Sequence, residues 1–265
     1  MHPLKRPLLS LLALSVSLAS VAPAQISAVT ATTSMAGYGP IAAPDSIAAV
    51  WGTGLASSTS SATGSTLPTT LGNVQVTIKD SAGMSFTASL FLVSPGQINF
   101  LVPAGAALGK ATISVVQGST ALTGNLLLSN VAPGIFTANA NGQGVPAAQV
   151  QRVNASGVSS FEMPFRTGTS PTNFVTAPIN ISTAGDRVYL ILYLSGIRRH
   201  SANPVTATIG GVRVPVLYAG AQGQFPGLDQ LNLGPLPSTL AGKGEVDLIV
   251  TVDGVPANTV RINMQ

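Results

Sequence analysis

LGNVQVTI at 71–78 and IGGVRVPV at 209–216 carry one pattern twice. In each, a glycine-containing turn opens a run in which apolar and polar side chains alternate. Val74, Val76 and Ile78 alternate with Gln75 and Thr77, and Val212, Val214 and Val216 with Arg213 and Pro215. Successive side chains on an extended strand point to opposite faces, so each run makes a strand with one buried face and one wet face. The same period returns at Ala111, Ile113 and Val115 and at Val246, Leu248, Val250 and Val252. Helical periodicity is almost absent. RVYLILYLS at 187–195 is apolar on both faces and reads as a central strand covered on both sides. Gly210-Gly211 and Asp253-Gly254 have turn chemistry, and 154–157 reads as the turn of a hairpin between 147–153 and 158–165. SSTSSATGST at 57–66 reads as a mobile surface loop.

Working outward, other pieces recur in the same order. SIAAVWGTGL (46–55) parallels RVYLILYLSGI (187–197), Gln97-Ile98-Asn99 parallels Gln230-Leu231-Asn232, and Gly109-Lys110 parallels Gly242-Lys243. Each half spans about 90 residues, close to one immunoglobulin-like sandwich. The expected fold is therefore all-β: two tandem immunoglobulin-like β-sandwiches related by an internal repeat and joined by a β-hairpin-containing junction. The expected boundaries are 40–137, a junction at 138–181, and 182–265. Val158, Phe161, Met163 and Phe165 of the junction need cover, so its hairpin is expected to pack on one or both sandwiches.

The N-terminus carries Lys5 and Arg6, an apolar run at 8–21 and Ala22-Pro23-Ala24. That is the pattern of a cleaved secretory signal peptide, 1–24, and implies a secreted or periplasmic protein. No later stretch reads as a transmembrane segment. Removing it leaves ten basic and eight acidic residues, with His200 the single histidine. This is no nucleic-acid footprint, which needs a dense basic face. The tightest basic cluster, Arg198-Arg199-His200, reads as a solvated turn after a strand.

Chemistry is bounded just as firmly. The chain has no Cys, which excludes disulfides, thiolate nucleophiles and zinc–cysteine sites. It has no G-x-S-x-G elbow, P-loop, Rossmann fingerprint or H-E-x-x-H. One histidine gives little basis for a hydrolase triad, and no dense acidic loop suits calcium. No catalytic residue, cofactor or metal site is expected. Asp45, Asp186 and Asp253 have turn roles, and Asp229 is the least explained acid. The alternative to a non-enzymatic module is a carboxylate-dependent glycan-active enzyme, which needs two facing acids across a cleft.

Binding features remain. The loop AGAQGQFPG at 219–227 holds Phe225 with little strand pattern to bury it. Phe225 is the candidate anchor for a protein or polysaccharide partner, with Gln222, Gln224 and Asp229 as adjacent polar contacts. The repeated Gln97/Asn99 and Gln230/Asn232 pairs are expected to satisfy backbone groups near strand ends, with a sugar-binding amide shelf as the functional alternative. Trp51 is expected in the core.

Several ordered stretches carry a family resemblance: PDSIAAVWGTGLA (44–56), LFLVSPGQINFLVPAG (90–105), VAPGIFTANANGQGVPAA (131–148), VTATIGGVRVPVLYAGAQGQFPGLDQLNLGPLP (205–237) and VDGVPANTVRI (252–262). With them the chain resembles the Solibacter-type C-terminal domain, an uncharacterised module of secreted acidobacterial proteins. Each half is also similar to IPT/TIG immunoglobulin-like domains. The resemblance implies a secreted interaction module and transfers no catalytic residue.

Overall fold

Alternation converts almost every apolar run into a strand. The computed structural model describes residues 28–64, 66–202 and 204–265. The expected signal segment, 1–24, lies outside them. The first half supplies β1 (Ala28–Ser34), β2 (Ile41–Ala42), β3 (Ile47–Thr53), β4 (Ser60–Ser61), β5 (Val74–Lys79), β6 (Ser85–Thr87), β7 (Ser89–Val93), β8 (Gln97–Leu101), β9 (Gly109–Gln117) and β10 (Thr120–Leu128). Next come β11 (Gly134–Ile135), β12 (Ala148–Val153), β13 (Ser159–Glu162), β14 (Phe165–Thr167), β15 (Phe174–Thr176), β16 (Pro178–Ile179) and β17 (Arg187–Ser195). The chain closes with β18 (Thr206–Ile209), β19 (Val212–Val214), β20 (Val216–Ala221), β21 (Asp229–Leu233), β22 (Gly244–Val252), β23 (Val255–Pro256) and β24 (Val260–Met264). The one helical turn among the described residues is a 3-10 turn at Ser238–Leu240.

The strands form two sandwiches. The first packs the sheet β1-β3-β8-β7-β4 against β2-β10-β9-β5-β6, and the second packs β13-β12-β17-β21-β20 against β16-β24-β22-β18-β19. Val50, Ile98 and Phe100 meet Val76 and Ile113 in one core. Leu190, Leu192 and Leu231 meet Val250 and Ile262 in the other. Each such fully buried side chain contributes about 1.5–3 kcal/mol.

Apart from the edge strands β4 and β13 the two copies share one strand order, and the correspondence starts earlier than the sequence repeat. β1 and β12 both pair antiparallel with the central strands β3 and β17. β2 and β16 both cross to the opposite sheet and pair parallel with β10 and β24. The expected junction therefore supplies the opening strands of the second sandwich, and the first includes β1, ahead of the expected boundary at 40. Its hairpin is β12–β13, with Asn154 Oδ1 accepting from the N–H groups of Ser156 and Val158. The expected cover is absent there: Val158, Phe161 and Met163 are 63%, 59% and 52% exposed. Phe165 meets Phe174 edge-on at 5.4 Å.

Other expectations also shift. The run through Val216 is two strands, because Pro215 has no N–H for a ladder and β20 leaves for the other sheet. Ser60–Ser61, inside the expected mobile loop, pairs with Leu92 and Val93 as the edge strand β4. The second sandwich has no counterpart of β4 on β20. There the Ala219 carbonyl lies 3.3 Å from His200 Nε2, and the Ala221 carbonyl accepts from the Tyr218 hydroxyl. These contacts blunt an edge that would otherwise template another strand. Gly210 and Gly211 form the expected two-residue turn, both at positive φ, with Ile209 opposite Val212.

One buried acid holds a loop together. Asp80 accepts hydrogen bonds from the N–H groups of Ala82, Met84 and Ala107 at 2.8–2.9 Å. The Ala107 bond leads in holding its carboxyl below the usual value, against desolvation. Its folded pKa thus lies below the unfolded value of about 3.9. The stabilisation is present above that value and lost as pH falls through the folded pKa. Asp80→Asn is expected to lower the urea midpoint at pH 7 and to approach the parent as pH drops below 4. A gap that stays constant into acid would contradict this role.

Candidate functional site

The sandwiches meet at a hydrogen-bonded seam. Ser195, at the end of β17, is fully buried. Its hydroxyl accepts from Ile47 N at 2.9 Å and donates to Gly227 O at 2.8 Å. Arg199 reaches Asp45 at 3.5 Å and donates to Ala104 O, while Asn130 donates to Arg199 O. Gly227 lies so close to the first sandwich that a Cβ would fall 2.6 Å from Ile47. The expected solvated turn at Arg198–His200 is instead structural, since each of its side chains is engaged.

The 222–228 loop stands on this seam. Its ends are joined by the bond from Gln222 N to Leu228 O. Gln222 Oε1 turns inward and accepts from the N–H groups of Gln224 and Phe225 at 2.9 and 3.2 Å. Gln222 is therefore a brace of the loop. Phe225, held by that brace, is 61% exposed. It does not tuck under its own loop. With Gln224, Pro226 and Arg198 it borders an open depression of about 330 Å³.

Asp229 is a correction to the expected site. It is 0% exposed and points into the second sandwich. Its carboxylate accepts from Arg198 Nε at 2.7 Å and from Ile197 N at 2.8 Å, with Arg198 N at 3.3 Å. Burial pushes its carboxyl up, against those bonds and the Arg198 charge. Alternation places it inward because it opens β21 two residues before Leu231. Asp229 acts on the site from beneath, by holding Arg198 beside Phe225. Arg198 was missed as a site residue, and its signal was the paired arginines just after Gly196, which follows the end of β17.

The other sequence candidates sort by the same geometry. Gln97 Nε2 donates to Asn99 Oδ1 at 2.7 Å, and Gln230 Nε2 to Asn232 Oδ1 at 2.9 Å. The pairs bond each other rather than the backbone, on the outer sheet faces. Trp51 is half-buried outside the core, stacked on Tyr38 at 5.9 Å with Nε1 donating to Thr33 Oγ1.

All eight carboxylates are engaged. Asp45 pairs with Arg199, Asp229 with Arg198, Glu162 and Asp186 with Arg152, and Glu245 and Asp247 with Arg261. Asp80 takes backbone N–H groups, and Asp253 takes the N–H and hydroxyl of Ser201. Among the described residues no group of three His, Asp or Glu could hold a metal ion. No helix among them is long and apolar enough to cross a membrane.

No protein-family model matches this chain, and no curated protein does. Among solved structures it is similar to SGBP-B of the Bacteroides ovatus mixed-linkage glucan utilization locus, in complex with a mixed-linkage heptasaccharide. The identity is 12% and the TM-score 0.33, over 85% of this chain and 44% of that one. It is also similar to SGBP-B from a complex xyloglucan utilization locus in Bacteroides uniformis, at 11% identity and TM-score 0.26, over 90% and 49%. Domains 5-6 of the S-layer protein SbsC give 13% and 0.25, over 91% and 96%. The chain spans under half the length of either SGBP-B protein. No residue role passes from them to this chain.

Proposed function

We propose that this chain is a non-catalytic binding module that works outside the cytoplasm and meets its partner through the Phe225 loop. The observation that carries the reading is an aromatic ring more than half exposed on a loop braced from inside by Gln222 and from below by the Asp229–Arg198 pair. A pre-positioned aromatic loses little conformational freedom on binding, and such residues anchor many interfaces. Engagement of every carboxylate in ion pairs or backbone bonds speaks against an acid–base pair. The N-terminal signal pattern supports the location. The resemblance of its ordered motifs to the Solibacter-type domain favours a module of that kind.

Phe225→Ala tests this. Binding to immobilised envelope polysaccharides and purified peptidoglycan is expected to fall about tenfold or more. Melting is expected to stay within about 1–2 °C of the parent, because the ring buries little. Unchanged binding, or a melting loss of several degrees, would refute the anchor.

A further inference from the structure

The central strand β17 is fully buried on one face and only partly covered on the other. Val188, Leu190, Leu192 and Leu194 are buried, while Tyr189, Ile191 and Tyr193 between them stay partly exposed. This departs from the expectation of a strand buried on both sides, and it opens an outer face five strands wide. Directly opposite residues in an antiparallel ladder share a face. Phe161, Gln151 and Tyr189 therefore form one row. Gln149, Ile191, Asn232 and Tyr218 form the next, and Tyr193, Gln230 and Gly220 a third. Three of the chain's four tyrosines stand here, interleaved with amides. The one charged side chain of this face along β17 is Arg187, at its far end.

The first sandwich has the same motif, closed. Trp51 opposes Gln97 in β3–β8 as Tyr193 opposes Gln230 in β17–β21. Ala49 opposes Asn99 as Ile191 opposes Asn232. There the turn after β1 folds back. The Tyr38 ring stacks on Trp51, and Gln97 Nε2 meets Met35 Sδ at 3.6 Å. Ala49 is 0% exposed. In the second sandwich the chain after β12 runs outward into β13 instead.

We infer that this outer face binds a neutral polysaccharide chain, its sugar rings lying on the tyrosines as Tyr38 lies on Trp51. An aromatic ring has a negative face that attracts the polarised C–H bonds of a sugar. An amide offers both donors and acceptors, matching hydroxyls that do the same. Tyr193 donates to Gln149 Oε1 at 3.3 Å, and Gln230 Nε2 to Asn232 Oδ1. Those bonds orient the amides and leave Gln149 Nε2, Gln230 Oε1 and Asn232 Nδ2 for a ligand. Tyr189 and Tyr193 are four residues apart, about 13 Å along the strand, so a chain rather than a single sugar spans them. A face of amides and aromatic rings, with charge only at its margins in Arg187 and Glu162, suits an uncharged polymer. This surface adjoins the Phe225 loop, which joins β20 to β21, but does not include it.

Native electrophoresis through gels containing hydroxyethylcellulose, galactomannan or polygalacturonate tests the inference with the exported protein. At least one neutral polymer is expected to retard the protein at about 0.15 M salt, with no retardation by the anionic one. Tyr193→Ala and Gln230→Ala are each expected to weaken retardation about tenfold, with an unchanged calorimetric transition of the second sandwich as the check on folding. Tyr193→Phe keeps the ring and is expected to retain most binding. If the alanine variants fail to fold, Gln230→Glu serves, since it places a charge on the face and is expected to abolish retardation. No retardation by either neutral polymer, or equal retardation of the face variants, overturns the inference. Loss in Phe225→Ala with the face variants intact also overturns it, while leaving the loop as the binding surface.

Discussion

Asp229→Ala is expected to destabilise the second sandwich by about 3–4 kcal/mol, the cost of stripping a buried ion pair of one member. The carboxylate is 0% exposed, and the variant leaves Arg198 and the N–H groups of Ile197 and Arg198 without their acceptor. Arg198 is partly exposed and recovers some hydration, which keeps the figure toward the low end of the range. For a sandwich of this size the loss corresponds to about 10–15 °C in melting temperature. Arg198→Ala gives a different signature. It leaves a carboxyl whose pKa burial already raises. The folded form then gains relative stability by taking up a proton, so the deficit is expected to shrink as pH falls. Thermal melts at pH 7 and pH 4.5 check both. An Arg198→Ala deficit that grows in acid would contradict the buried-pair account.

Ser195→Ala is expected to uncouple the two sandwiches. The hydroxyl is the acceptor for Ile47 N and the donor to Gly227 O, and it is fully buried. Deleting it orphans one backbone group on each side, at about 1–3 kcal/mol each. Because the two groups belong to different cores, the loss falls on the seam. Calorimetry is expected to resolve two transitions in the variant where the parent gives one or a closely overlapping pair. Phe225 binding is expected to weaken as well, since Gly227 anchors the base of its loop. A single sharp transition with unchanged binding would show that the remaining contacts, among them those of Arg199 with Asp45, Ala104 and Asn130, hold the seam without the hydroxyl.

The strands were legible because their signal is local. A period-2 pattern such as Val74, Val76 and Ile78 reports one buried face wherever the strand ends up. The core repeat was legible because Gln-x-Asn and the glycine turns recur in order. The opening strands were not. AVTATTS of β1 and AQVQRV of β12 share a place in the sheet but no motif. Their equivalence exists only in the pairing with β3 and β17.

At the candidate site, the loop was legible from a lack of strand pattern around Phe225, but the exposure of the ring was not, because a ring tucked under its own loop fits the same sequence. The fate of Asp229 was not, because it depends on an arginine 31 residues earlier in the chain. The same limit applies to RVYLILYLS. Its composition set it at the centre of a sheet, but whether Tyr189 and Tyr193 are covered depends on where the turn after the neighbouring strand goes. In the first sandwich that turn brings Tyr38 back over Trp51, and in the second it does not. Sequence alone determined the strands, their alternation and the duplication, which are properties of neighbours a few residues apart. Only the tertiary structure decided which polar groups were buried and which aromatic face stayed open. Those outcomes turn on contacts between segments tens of residues apart, and no local period records them.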